Sequence, residues 1–498
     1  MKIRLGLGGL NMEQIAEYCH GELYDFTGDI GCDFEYICTD SREADDKTMF
    51  VATRGERVDG HDYIISAIEK GCRCILCEYV PENVAVAKAS FVVVENSIEA
   101  FANAARGYRS DKRMKTVAVT GSVGKTTTKE LVAAILREKY NLYSTVGNFN
   151  SIIGMPMSLM ESGSECEAAV FEMGMSGFGE ISPMSFCARP HVAMVTNIGS
   201  SHLEYLKTRE NIAKAKLEIA DGLDSDGYLL LLGDEPLLRG DAVKKYKEKC
   251  NILYVGTNNN EKNDAQVENI RILSDKTLFD LVFSGKKYID LEVPAIGKHF
   301  AINGGFAAVA ALLLGCDEDE IRRGLTSYAP SGMRQRIYEK NGVTVIADCY
   351  NAAPESMRAA LEVLSSISAG TITIADSTSL ADAHTGAVTD TATSGKKIAV
   401  LGDMRELGIN SDDLHREIGK FAATHGVDVL ITLGDLGKLI ADGAISAGLD
   451  GENVFSHTDI DEISPIVEKI KENLAPGDAI LFKASRALRL ERLIESLF

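Results

Sequence analysis

Short, fully apolar runs recur along the chain, each followed by a turn and then by a segment whose apolar residues return at helical spacing. That order predicts strand, loop and helix in repetition, the pattern of an α/β fold with mostly parallel sheets. Three stretches emerge. In residues 1–112, strand-like runs (MFVAT from Met49, RCILCEY from Arg73, FVVVEN from Phe91) frame two helix-like segments, His61 to Gly71 and Ser97 to Tyr108. They predict a small α/β domain. Residues 113–330 alternate most regularly and predict a central, doubly wound, mostly parallel sheet. Residues 331–498 repeat the alternation through VTVIAD, a helix from Glu355, KKIAVLGD, DVLITLGD and AILFKASR. A C-terminal Rossmann-like domain is predicted there, without the GxGxxG fingerprint.

The run Val117-Ala118-Val119 leads into TGSVGKTTTKE, Thr120 to Glu130, and then into a helix-like segment from Leu131 to Tyr140. Strand, glycine loop and helix in that order make a phosphate cradle (P-loop). Backbone N–H groups turn inward, the helix N-terminus adds partial positive charge, and Lys125 adds a full one. Thr126 falls where a hydroxyl can hold Mg²⁺. Val119 stands where the general Walker pattern has its first glycine, so the loop is the shorter GxxGKT form.

Other strand ends also carry polar groups. AAVFEMG puts Glu172 past one apolar run, and HVAMVTNIGSSHLEYL puts Asn197 and His202 past another. Ligands of open α/β sheets gather at the carboxyl ends of strands, so a carboxylate and an imidazole there point to Mg²⁺ beside a triphosphate. Read singly, His202 is a structural or capping histidine and Glu172 a turn residue. In the last stretch Asp348, Asp403, Lys483 and Arg486 are placed the same way. The loops TDSR, Thr39 to Arg42, and RGERVDGHDY, Arg54 to Tyr63, are either binding loops or ordinary turns.

Composition narrows the setting. Lys plus Arg against Asp plus Glu gives 52 − 73 = −21, which argues against coating nucleic acid or an anionic membrane. No stretch of about 20 apolar residues is present, and the N-terminus turns polar too early for a signal peptide, so no membrane insertion and a cytoplasmic location are expected. The 11 cysteines lack a disulfide-framework spacing and are expected to be reduced. Cys72, Cys74 and Cys77 read either as metal ligands or as part of a buried strand. The segment Ser366 to Gly395, rich in Ser, Thr, Ala and Asp, reads as a mobile surface insertion in which TITIAD could form a short strand.

The motifs DSR, DGHDY, TGSVGKTTTKE, GNFNSIIGMP, FEMGM, TNIGSSHLE, KAKLEI, GKHFAIN, MRQR, DCYNAAPESM, LGDMRELG and FKASRALRLE span all three stretches. In this order they resemble the Mur ligase family. The DNPR-like text of the members that add the third peptide residue is missing, and YNAxP with GDMxELG favours the dipeptide-adding branch. Two positions depart from the family pattern, Ala353 in YNAAP and Ser151 in GNFNS.

The resemblance implies an ATP-dependent ligase that joins D-alanyl-D-alanine to UDP-N-acetylmuramoyl-tripeptide through an acyl phosphate, as a monomer, in peptidoglycan precursor synthesis. It implies that Gly121, Ser122, Val123, Gly124, Lys125, Thr126 and Thr127 hold ATP phosphates, with Thr126, Glu172 and His202 around two Mg²⁺ ions. Lys216 matches the family lysine that becomes carbamylated, and Lys214 is the neighbour with which it could be confused. Lys125, Lys216 and His202 are the implied catalytic groups. His299, Asn303 and Asn351 fall on the adenine side, and Arg334 and Asp348 near phosphate and ribose. Ser41 and Arg42 would meet the uridine nucleotide, and Asn148 and Asn150 the muramoyl part. Lys483, Ser485 and Arg486 would meet phosphate or peptide, with Asp403 on the same substrate side. Closure of the third domain about Pro330 to Gly332 is expected to complete the site. Two rivals stay open: a nucleotide-gated binding protein, and a related ligase with a different acceptor, such as a folylpolyglutamate-type or amino-acid-adding enzyme.

Overall fold

Among the described residues, three sheets of six, nine and six strands follow one another along the chain, and Leu10–Asn11 pairs with Asp33–Phe34 in a two-stranded ribbon. The computed structural model describes residues 1–26, 33–55, 58–82, 88–109, 114–257, 262–330, 332–367 and 395–498. In the first sheet the strands Tyr36–Cys38, Thr48–Val51, Cys74–Cys77 and Ser90–Val93 run parallel, and Lys2–Arg4 and Glu22–Asp25 close the edges antiparallel. Cys72, Cys74 and Cys77 are buried in this core. The Cys72 thiol donates to the Thr48 carbonyl at 3.0 Å, and burial pushes the Cys77 thiol up to about 12, which keeps it protonated. These three cysteines belong to the strand and its approach.

The central sheet has the order Leu142–Ser144, Ala168–Glu172, Lys115–Thr120, Val192–Val195, Tyr228–Leu232, Asn251–Gly256, Ala265–Ile272, Thr277–Phe283, Lys286–Val293. The first seven are parallel, and the last two follow as an antiparallel meander in which Thr277–Phe283 runs against the rest. The parallel strands are buried on both faces, as their unbroken apolar runs require. The closing meander has a local cause. Ser284 and Gly285 both lie in the left-handed region, at φ 49° and 76°, the geometry of a two-residue hairpin turn.

After the glycine loop the helix spans Lys125–Arg137, so it starts well before Leu131. Gly124, left-handed at φ 81°, turns the chain so that Lys125, Thr126 and Thr127 form the first helical turn. Helix Lys298–Leu313 packs against it from the far end of the same sheet.

The third sheet runs Arg336–Lys340, Val343–Ala347, Ala479–Lys483, Lys397–Gly402, Val429–Leu433, Val454–His457. All pairs are parallel except the edge hairpin, which turns at Asn341-Gly342 with φ 54° and 75°. Asn-Gly is the strongest short hairpin signal a sequence offers. Most of Ser366 to Gly395, including TITIAD, lies outside the described residues. Among the described residues no helix is long and apolar enough to cross a membrane.

Arg109, the last residue of helix Ser97–Arg109, joins the first two stretches. Its buried guanidinium donates to the carbonyls of Ala188 and Met114 and to the Thr116 hydroxyl. Arg109→Met leaves those acceptors unpaired and is expected to cost about 2–4 kcal/mol, read as a lower urea midpoint.

Candidate active site

The carboxyl ends of the central parallel strands converge on a cavity of about 600 Å³, closed on its other side by loops of the third sheet. The phosphate loop forms one wall. Lys125 Nζ donates to the carbonyls of Gly121 at 2.6 Å and Ser122 at 3.4 Å, folding the ammonium back over the loop. Thr196, just past strand Val192–Val195, donates from its hydroxyl to the Val123 carbonyl at 2.8 Å, and the Ser122 N–H donates to the Asn197 carbonyl at 3.1 Å. The neighbouring strand end therefore fixes the loop. A Cβ on Gly121 would stand 2.1 Å from the Thr196 hydroxyl, so the glycine is demanded by packing. Ser122 Oγ and Asn197 Oδ1 are buried with no hydrogen-bond partner among the described residues.

Glu172 is 3 % exposed. Its two oxygens accept from Thr126 Oγ1 at 2.7 Å and from Asn150 Nδ2 at 2.8 Å, both neutral donors. A buried carboxylate held by neutral groups, beside a hydroxyl in a cavity that His202 also lines, suits a hard, oxygen-seeking cation such as Mg²⁺. Helix Arg209–Leu217 exposes Lys214 and buries Lys216 at 1 %. Burial, with the Lys125 ammonium nearby, drives the Lys216 pKa well below its ordinary range. No carboxylate forms an ion pair with Lys216 among the described residues. A neutral, nucleophilic amine is the form such a site favours.

Opposite the phosphate loop, groups named from the sequence meet others that had no role there, Ser200, Tyr350, Glu355 and Glu406. His202, left-handed at φ 67°, has Nδ1 2.6 Å from Glu406 Oε2, and the Glu204 N–H donates to the Glu406 carbonyl at 3.0 Å. Ser200 donates to Glu355 at 2.9 Å. A loop of the third sheet and the first turn of helix Pro354–Ser366 thus clasp the segment Gly199 to Glu204. Arg334 stacks on Tyr350, its Cζ 3.6 Å from the ring centre. Lys483, 2 % exposed, donates to Asp348 Oδ2 at 2.6 Å and to the Asn351 carbonyl at 3.0 Å. Glu406 and Gln335 were already visible inside LGDMRELG and MRQR, but nothing in those strings shows which residues cross to the central sheet.

Of the sequence candidates, Ser122 to Thr127, Asn150, Glu172, His202, His299, Asn303, Arg334, Asp348, Asn351 and Lys483 line this cavity. Gly121 supports the loop from beneath. Ser41 and Arg42 lie on the first sheet's module, where Asp40 grips Arg42 at 2.7 Å. Asn148 is exposed beside the site without lining it. Asp403 accepts from the Gly437 N–H at 2.7 Å at the start of helix Gly437–Ser446, and Ser485 donates to the Asp403 carbonyl. Arg486 pairs with Glu491 at 2.8 Å. Asp403 and Ser485 thus join two loops of the third sheet away from the cavity lining, while Arg486 pairs locally.

Residues 33–120 match the Mur ligase family, catalytic domain; residues 119–312 the Mur ligase middle domain; and residues 373–486 the Mur ligase, glutamate ligase domain. UDP-N-acetylmuramoyl-tripeptide–D-alanyl-D-alanine ligase of Bacillus subtilis (strain 168) is 34 % identical, over 93 % of this chain and 92 % of its own. The chain belongs to the Mur ligase family. Among solved structures this Mur ligase is similar to MurF from Acinetobacter baumannii (27 % identity, 99 % of each chain, TM-score 0.82). It is also similar to MurF ligase from Thermotoga maritima in complex with ADP (28 % identity, 93 % of this chain and 96 % of the other, TM-score 0.75).

Burial lowers the His299 pKa to about 4 from the ordinary 6.5. As pH falls between these values the unfolded chain takes up a proton that the folded chain refuses, so this Mur ligase loses stability across that window. His299→Asn is expected to flatten the fall in melting temperature between about pH 6.5 and pH 4.

Proposed function

We propose that this chain is the ATP-dependent ligase that joins D-alanyl-D-alanine to UDP-N-acetylmuramoyl-tripeptide, releasing ADP and phosphate, in cytoplasmic peptidoglycan precursor synthesis. The observation that carries the reading is one cavity that unites a phosphate loop, a buried oxygen-donor set and basic groups from a second sheet. The full-length likeness to ligases of that name supports the choice of substrates. We assign the three domains as residues 1–112 for the uridine nucleotide, 113–330 for ATP, and 331–498 for the dipeptide and for closure over ATP.

A peptide carboxylate is a poor electrophile, so the γ-phosphoryl group is first moved onto it, making an acyl phosphate with a good leaving group. Lys125 and the loop N–H groups bind and orient the phosphates. Thr126 and Glu172, with His202, would hold Mg²⁺, which supplies neutralisation of the phosphoryl oxygens when bound. The dipeptide amine then attacks the acyl carbon, a tetrahedral oxyanion forms, and phosphate leaves as the amide bond closes. Arg334 and Lys483, from the third sheet, keep positive charge on the far side of the cavity and help exclude water from the acyl phosphate.

Phosphate release from ATP should require both UDP-N-acetylmuramoyl-tripeptide and D-alanyl-D-alanine, with mass spectrometry showing the pentapeptide product. Release that is indifferent to the amine would overturn the reading. Lys125→Met is expected to lower turnover by roughly 10²–10³-fold.

We also propose that Lys216 is carbamylated, its neutral amine adding to CO₂ with loss of a proton to give an anionic oxygen ligand. ¹³C-bicarbonate should produce a carbamate resonance that Lys216→Arg abolishes. An unaltered spectrum in that variant would rule the carbamate out.

A further inference from the structure

We propose that Gln335 is a positioning residue that fixes the orientation and tautomer of His299 for nucleotide binding and ties both to the third sheet; the inference rests on the ATP site proposed above. Gln335 lies between the last helix of the central stretch and strand Arg336–Lys340, and its backbone sits in the left-handed region at φ 45°, unusual for a side chain of its size. Its hydrogen bonds reach in both directions. The side-chain amide Nε2 donates to the Ile296 carbonyl at 2.5 Å, and Oε1 lies 3.0 Å from His299 Nε2. The backbone N–H donates to Asp348 Oδ1 at 3.2 Å, and Asp348 in turn accepts from Lys483 at 2.6 Å.

These contacts leave one arrangement of protons. Turning the Gln335 amide over would set two acceptor oxygens 2.5 Å apart at Ile296, so Nε2 must face that carbonyl. Oε1 then faces the imidazole and needs a donor, which places the His299 proton on Nε2 and leaves Nδ1 bare. The ring belongs to the first turn of helix Lys298–Leu313 and packs on Phe300, with ring centres 4.4 Å apart. Burial holds the ring neutral, and packing and the hydrogen bond orient it at the cavity wall. Two of the anchors, Asp348 and Lys483, belong to the third sheet, so the ring's setting depends on that sheet being docked. Any movement of the third sheet away from Ile296 would break the Gln335 bonds and release the ring.

ADP affinity by calorimetry is the direct test, using the full chain and its Gln335→Ala, Gln335→Met, His299→Ala and His299→Ala/Gln335→Ala variants. Loss of a well-formed hydrogen bond should weaken ADP about tenfold in Gln335→Ala and in the volume-conserving Gln335→Met. His299→Ala should weaken it at least as much, and the double variant should be no weaker than His299→Ala alone, because Gln335 acts through the ring. A residue that merely supported the fold would lower the melting temperature and multiply with His299→Ala. Where Gln335→Ala melts early, Gln335→Met carries the comparison. Penalties that multiply in the double variant, or Gln335 variants that bind ADP within twofold of the parent while His299→Ala does not, would overturn the proposal. ADP binding untouched by His299→Ala would instead remove the nucleotide assignment of this pocket, and the proposal with it.

Discussion

The site turns on a carboxylate that is out of water and forms no ion pair among the described residues. Glu172 ends a buried parallel strand, and its oxygens are satisfied by a hydroxyl and an amide. Burying such a charge is costly unless positive charge arrives to meet it. The surroundings are arranged around that need. Lys125 lies close enough for its charge and that of Glu172 to influence one another, and the phosphate loop offers N–H groups on the same side. Lys216 is buried with Lys125 as its charged neighbour, an arrangement that favours loss of its proton. The same desolvation that makes burial of the carboxylate costly strengthens its attraction for a cation and a polyphosphate.

The third sheet completes the cavity through polar contacts, beside the packing of Ile296 into that sheet's apolar core. Glu406 reaches His202, Glu355 reaches Ser200, and Gln335 reaches Ile296 and His299. Interfaces of this polar kind are the ones that domains open and close. The two left-handed residues His202 and Glu406 meet across it, at φ 67° and 64°. Strain held at a junction of this sort belongs to a place where the chain must present particular groups to one another. Asp403 and Ser485 stay within the third sheet, where they tie the loop that carries Glu406 to its neighbours, and Arg486 pairs locally with Glu491.

The repeating strand and helix pattern, the three sheets and the phosphate loop were legible in the chain, because period and glycine placement are local properties. The hairpin turns at Ser284-Gly285 and Asn341-Gly342 were equally local, yet the reading favoured parallel strands there and passed over an Asn-Gly pair. The start of helix Lys125–Arg137 was also displaced, since a left-handed Gly124 makes a helical first turn out of polar residues that look like loop.

What the sequence by itself determined was which residue types stand at the ends of which strands: Lys125 and Thr126 after one, Glu172, Asn197 and His202 after others, Asp348 and Lys483 after two more. Strand register and turn chemistry are set within a few residues, so those placements survive folding unchanged. Only the tertiary structure decided which of these groups meet. It buried Lys216 and left Lys214 in solvent, although both lie on one helix, because one face of that helix packs on the sheet. It brought Gln335 to His299 and Glu406 to His202 where the central and third stretches meet, and it turned Asp403 toward Gly437 and away from the cavity. Those choices depend on how sheets dock and which side chains lose water, which no local pattern encodes.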